Sequence, residues 1–201
     1  MPEYFYADRL FNALERVDPE PGMLLVSAPG MFSPEFARTV LLVLEHDADH
    51  TLGVVLNRRS EVAVANVMDA GWAELAAKPQ AVHIGGPVGA DSAVGLGVTA
   101  AGASENPYLN RLANRLVLVD LNASPLEVGD FLDAIRIFAG YAEWAPGQLD
   151  DEILRGDWFV TPALPSDVVA PAGADLWGDV MRRQAMPLPL FATFPANLED
   201  N

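Results

Sequence analysis

The densest group of chemically able side chains is Glu45-His46-Asp47-Ala48-Asp49-His50. His46, Asp47, Asp49 and His50 could converge on a divalent ion from a hairpin turn. The plainer reading is a polar turn whose acids cap local amides, and no fixed ligand spacing favours a metal. An EF-hand loop is excluded, because Leu52 stands where that loop demands glycine. Glu45 and His46 also suggest an acid–base pair. Neighbours on a regular strand point to opposite faces, so at most one of them can face a site.

His83 precedes Gly85-Gly86 at the end of an apolar run. Glycines at a strand end let a ligand or another backbone approach closely, and a tight turn is their simpler use. Gly95-Leu96-Gly97-Val98-Thr99-Ala100 matches G-x-G-x-x-A, but lacks the preceding strand and following helix that aim a pyrophosphate. No P-loop, nucleophile elbow or H-E-x-x-H is present. Nothing links Ser27, Ser33 or Ser92 to a histidine and an acid. Tyr141, Trp144 and Trp158 could line an aromatic wall, though aromatics at element ends more often close a core edge. The candidate ligand-binding residues are Arg38, Glu45, His46, Asn57, His83, Gly85, Gly86 and Gln148, polar or glycine positions at strand ends and turns. No catalytic residue, metal site or cofactor is assigned.

The elements that must hold these residues follow from pattern. Leu10, Phe11, Leu14 and Val17 form one stripe of an N-terminal helix over 8–17. Gly22 leads into a strand over 23–27. Ser33-Pro34-Glu35 starts a short helix. Val40 to Leu44, apolar throughout, suits a strand buried on both faces, paired as a hairpin with 52–56. A helix is expected over 64–75, weakened by Gly71, and a strand over 82–84. Residues 88–110 read as one weak strand, 94–98, in a long loop. Leu116 to Val119 is a strand. Ser124-Pro125-Leu126-Glu127 is a capping box, opening a helix that aligns Val128, Phe131, Leu132 and Ile135. A strand over 137–141, a helix over 148–155 closed by Gly156, and a strand over 158–160 follow. The proline-rich stretch 162–173 is a loop, and Asp175 caps a last helix with Arg182 and Arg183 near its C-terminal end. The apolar tail 187–201 is expected to pack on the body. One domain over 1–201, with 1–21 as an N-terminal helical extension, is expected.

Of the 201 residues, 51% are apolar and 20% charged, enough to bury a core. The net charge of −16 and the excess of 28 acidic over 12 basic residues oppose direct nucleic-acid binding, which needs Lys and Arg on phosphates. The absence of cysteine removes disulfides and thiolate chemistry. No signal-peptide pattern and no membrane-length apolar run are present, so a cytoplasmic protein without membrane attachment is expected.

Several runs, in order, resemble the YqgE/AlgH family: Gly22-Met23-Leu24-Leu25-Val26-Ser27-Ala28-Pro29, Phe36-Ala37-Arg38-Thr39-Val40, Glu45-His46, Gly53-Val54-Val55-Leu56-Asn57-Arg58 and His83-Ile84-Gly85-Gly86-Pro87-Val88. The run Gly140-Tyr141-Ala142-Glu143-Trp144-Ala145-Pro146-Gly147-Gln148-Leu149 extends to Glu152-Ile153, and Gly156-Asp157-Trp158, Asp175-Leu176-Trp177 and Arg182-Arg183-Gln184 complete the likeness. The resemblance implies an α+β fold, with a mixed, bifurcated β-sheet curled toward a pseudo-barrel and flanked by α-helices. Glu143 departs from the family pattern, which favours glycine there; a positive φ at that turn would strain it. The family carries the label of transcriptional regulator, with no established catalytic activity. The leading expectation is a non-enzymatic regulatory, ligand- or protein-binding protein with an unknown partner. A DNA-binding regulator, through Arg58, Arg59, Arg111, Arg115, Arg182 and Arg183, is one alternative; a metal-dependent or hydrolytic enzyme is the other.

Overall fold

The computed structural model describes residues 16–31, 33–171 and 173–193. The helix expected over 8–17 and the tail beyond 193, including Phe194, lie almost wholly outside them.

The chain folds as a mixed α+β structure around a curled ten-stranded sheet. The strands are β1 (Met23–Ser27), β2 (Val40–His46), β3 (Thr51–Val55), β4 (Arg59–Ala63), β5 (Ala81–Ile84), β6 (Val88–Thr99), β7 (Leu109–Ala113), β8 (Leu116–Val119), β9 (Leu132–Trp144) and β10 (Trp158–Pro162). The helices are α1 (Ala70–Leu75), α2 (Pro125–Val128), α3 (Gln148–Arg155), α4 (Pro165–Val168), α5 (Leu176–Arg182) and α6 (Leu188–Phe191). None of the described helices is long and apolar enough to cross a membrane.

β2 shows why an unbroken apolar run makes a central strand. Val40, Leu42 and Leu44 pack into one core with Trp177, Val180 and Met181. Leu41 and Val43 pack into another with Trp144, Leu149 and Trp158. Each fully buried side chain contributes roughly 1.5–3 kcal/mol, and β2 commits apolar groups to both faces. A third core joins Ile135 and Ile137 of β9 to Trp72 of α1 and Val128 of α2.

The sheet forks at β9. Its first part pairs antiparallel with β6, its middle pairs parallel with β5 through His83 and Ile84, and its end pairs antiparallel with β3 through Ala142 to Trp144. Gly85 bridges two branches: its N–H donates to the Ala139 carbonyl and its carbonyl accepts from Val55, both at 2.8 Å. A Cβ at Gly85 would collide with the Gly140 carbonyl, and one at Gly86 with the Tyr141 backbone. Gly140 itself has φ +71°. These glycines let backbones come close.

Several local expectations change. The helix over 64–75 is a short 3-10 turn at 64–66 followed by α1, and Gly71 lies inside α1. Ser33-Pro34-Glu35 opens only a turn, with Ala37 N–H donating to the Ser33 carbonyl at 2.8 Å. The capping box at Ser124 is present, but its helix lasts one turn and Leu132 and Ile135 belong to β9. β6 runs for 12 residues where a loop with one weak strand was expected; Gly89 to Ala93 are exposed, so burial imposes no alternation on that half. β4 and β7 were not expected. Glu143 lies in β9 opposite Leu52 and is not among the positive-φ residues, which, glycines apart, are Arg38 and Asn114 among the described residues. Leu188 and Phe191 of the tail are buried.

Candidate functional site

The polar turn after β2 is closed on itself. Asp47 Oδ1 accepts from the Asp49 and His50 amides at 2.8 and 3.0 Å, and these bonds hold its carboxyl below the usual range. His50 Nε2 meets Glu45 Oε2 at 3.2 Å, and His46 Nδ1 meets Thr51 Oγ1 at 2.7 Å. A bulge between Val43 and Glu45 interrupts the strict alternation assumed for Glu45 and His46. Among the described residues, no three His, Asp or Glu side chains are placed to hold a metal ion.

The signature run from Tyr141 onward builds a different cluster. Glu152 Oε2 accepts from both indoles, Trp144 Nε1 at 2.8 Å and Trp158 Nε1 at 2.9 Å. Gln148 Nε2 donates to Glu152 Oε1 at 2.9 Å, and Gln148 Oε1 accepts from the Ala145 amide at 3.0 Å. The rings pack edge to face, 6.2 Å between centroids. All of these groups are occupied with one another, so the motif is a clamp between β9, α3 and β10.

Asn57 is a second brace. Its Nδ2 donates to the Arg38 carbonyl at 2.9 Å and its Oδ1 accepts from the Val40 amide at 3.0 Å. That pins the turn in which Arg38 adopts φ +52°. The Arg38 guanidinium lies 4.2 Å above the Trp177 ring and 3.4 Å from Asp175 Oδ1.

Beside this brace is a cavity of about 470 Å³. The β3–β4 corner supplies Leu56, Asn57 and Arg59; the approach to β5 and β5 itself supply Pro79 and His83; the segment leading into α5 supplies Ala170, Pro171, Gly173, Ala174 and Leu176. Arg59 and His83 are cross-strand partners on β4 and β5. The His83 ring is buried against Phe138, with centroids 5.8 Å apart. Burial first, then the Arg136 and Arg59 charges, push the imidazole down to about 4, so it is neutral at pH 7. Nδ1 lies 3.2 Å from the Ala81 carbonyl. A carbonyl only accepts, so Nδ1 carries the proton and Nε2 presents a lone pair.

Arg136 stands behind two cavity walls. It is 1% exposed and donates to the carbonyls of Ala77, Pro79, Val168 and Ala170 at 3.0–3.4 Å. Burial lowers its pKa, yet a guanidinium stays charged. It ties the 77–79 segment to the 168–170 segment. Period-two alternation turns it away from Ile135 and Ile137. The lone cation inside Ile135-Arg136-Ile137-Phe138 is the sequence signal for it, obscured by the helical spacing that extends to Ile135. Arg59 entered only through the DNA-binding alternative.

The eight candidates therefore divide. Asn57 and His83 share the cavity; Arg38 adjoins it through Asn57; Gly85 and Gly86 shape the fork next to His83. Gly86 also borders a smaller cavity of about 300 Å³ with Arg58, Phe36 and Ile84. Glu45, His46 and Gln148 lie at the other end of β2, about 20 Å from Val40 at ~3.3 Å per residue, and His46 Nε2 is 4.0 Å from Asp150. One pocket holding all eight is excluded by the length of that strand.

Known proteins share this arrangement of chain. A family model described as AlgH-like matches residues 24–189. A UPF0301 protein of Corynebacterium efficiens is 61% identical over 199 residues, 98% of both chains. A UPF0301 protein of Mycobacterium tuberculosis is 48% identical over 196 residues, 96% of both. The crystal structure of a Corynebacterium diphtheriae protein superposes with a TM-score of 0.90 at 58% identity, covering 94% of this chain and all of that one. The solution structure of the AlgH protein from Pseudomonas aeruginosa shares the fold, with a TM-score of 0.62 at 23% identity over 90% of this chain and 98% of that one. With a model match across most of its length and such similarity end to end, the chain belongs to the AlgH-like (YqgE/AlgH, UPF0301) family.

Proposed function

We propose that this protein is a non-enzymatic small-molecule sensor whose ligand occupies the cavity between the β3–β5 corner and the 170–176 segment. The observation that carries this reading is the cavity's make-up. Its volume suits a small ligand, its walls are part apolar and part polar, and the polar side chains of Asn57, Arg59 and His83 converge there. The enzymatic reading has less support. His83 is turned by a backbone carbonyl rather than by an acid, and the Glu45–His50 pair belongs to an exposed turn.

Direct nucleic-acid binding is also opposed by how the arginines are used. Arg183 grips the buried Asp167 at 2.6 and 2.7 Å. Arg182 bonds Asp179 and Asp175, and Arg115 bonds Asp133. Arg58 donates to the carbonyls of Pro34 and Ala37. Arginines already paired with carboxylates, as Arg115, Arg182 and Arg183 are, contribute little to phosphate binding. A cytoplasmic location is part of the proposal; a chain without cysteine has no disulfide that would call for an oxidising compartment.

A thermal-shift screen over anionic, neutral and cationic small molecules tests the reading, run in parallel on Ala174→Leu, which projects a larger side chain into the cavity. A ligand at a hundred times its Kd stabilises the wild type by about 2.7 kcal/mol and stabilises the obstructed variant less. Equal shifts in both proteins, or none in either, overturn the proposal.

A further inference from the structure

We infer that the ligand is a small organic anion that also bears a hydroxyl, of the hydroxy-acid type, with its anionic oxygens on Arg59 and its hydroxyl donating to His83 Nε2. The inference rests on the cavity reading above and narrows its chemistry.

Charge selects the anion. The chain carries 28 acidic residues, yet none of the described residues that line the cavity is acidic. Among the described residues, the carboxylate paired with Arg59 is Glu61, at 4.0 Å, on a side chain that is 97% exposed. Arg136 adds a second positive charge behind Pro79 and Ala170, compensated by carbonyls and by no ion pair among the described residues. A bidentate carboxylate or phosphate matches the guanidinium fork.

The imidazole selects the hydroxyl. With its proton on Nδ1 toward Ala81, neutral His83 offers only a lone pair at Nε2. A bare anion placed there would face that lone pair, whereas a ligand O–H satisfies it. Arg59 and His83 are cross-strand partners, so their backbones lie about 5 Å apart and one compact head group can reach both. Leu56, Leu176 and Pro171 leave an apolar wall for the remainder of the ligand.

Mandelate carries carboxylate, hydroxyl and apolar ring together, and isothermal titration at pH 7 compares it with phenylacetate, mandelamide and phenyl phosphate. Mandelate is expected to bind ~10-fold more tightly than mandelamide and about 5-fold more tightly than phenylacetate. Phenyl phosphate reports whether phosphate replaces carboxylate as the anionic group; binding weaker than mandelamide's counts against an anion site. Arg59→Gln, at a half-exposed side chain, should erase the preference over mandelamide. His83→Leu should erase the preference over phenylacetate alone. Thermal midpoints verify that both variants fold, and Arg59→Gln decides the matter if His83→Leu does not. Equal affinity for mandelate and mandelamide, or a preference untouched by Arg59→Gln, overturns the anion assignment and leaves the cavity as a binding site. Binding of none of the four overturns both.

Discussion

A single carboxylate oxygen, Glu152 Oε2, receives two indole N–H groups, and Gln148 steadies its other oxygen. Bonds to a charged acceptor contribute ~1.5–3 kcal/mol each, and removing the acceptor strands two largely buried donors. Glu152→Ala is therefore expected to cost about 3 kcal/mol in denaturant unfolding; a loss below ~1 kcal/mol would show the clamp to be incidental. His83 makes a pH-dependent contribution of opposite character. Its folded pKa is lowered to about 4 from 6.5 by burial, then by Arg136 and Arg59. Between those values the unfolded chain binds the extra proton, so stability is full above pH 6.5 and falls as pH drops toward 4. His83→Leu should flatten that part of the wild-type stability curve. An imidazole titrating near 6.5 in the folded protein would contradict it.

At the scale of elements, the fork at β9 depends on how closely Gly85 and Gly86 approach Gly140 and Tyr141. Gly85→Ala forces strands apart within a packed sheet and should cost ~3 kcal/mol or prevent folding. Gly102→Ala, where a Cβ meets nothing within 4 Å despite φ +76°, should cost about 1 kcal/mol. Similar losses at both positions would remove the special role of the fork. The sequence made β1, β2, β3, β5, β8, β10 and α3 legible, because apolar runs bounded by glycine, proline or polar turns report burial directly. It misled at Leu132 and Ile135, where a capping box and a helical spacing continued into what packing made a strand. It was silent at β4 and at the exposed half of β6, where no buried face imposes a period. Of the cavity, Asn57 and His83 were legible as polar residues at strand ends. Arg59 and the 170–176 wall were not, because only the sheet's curl brings them together.

For the whole molecule, the distribution of charge is more telling than its sum. The net charge is −16, and among the described residues the arginines mostly hold carboxylates or carbonyls, while the described lining of the 470 Å³ cavity has no acid. On the proposed reading, such a charge distribution would repel polyanions at long range and still admit a small anion at this cavity. The most direct test is a ¹H–¹⁵N NMR titration of the intact protein with mandelate. On this reading, saturable shifts concentrated at residues 56–59, 79–83, 170–171 and 173–176 are expected. Shifts centred on the 45–50 turn and the start of α3, or no saturable shifts at all, would contradict it.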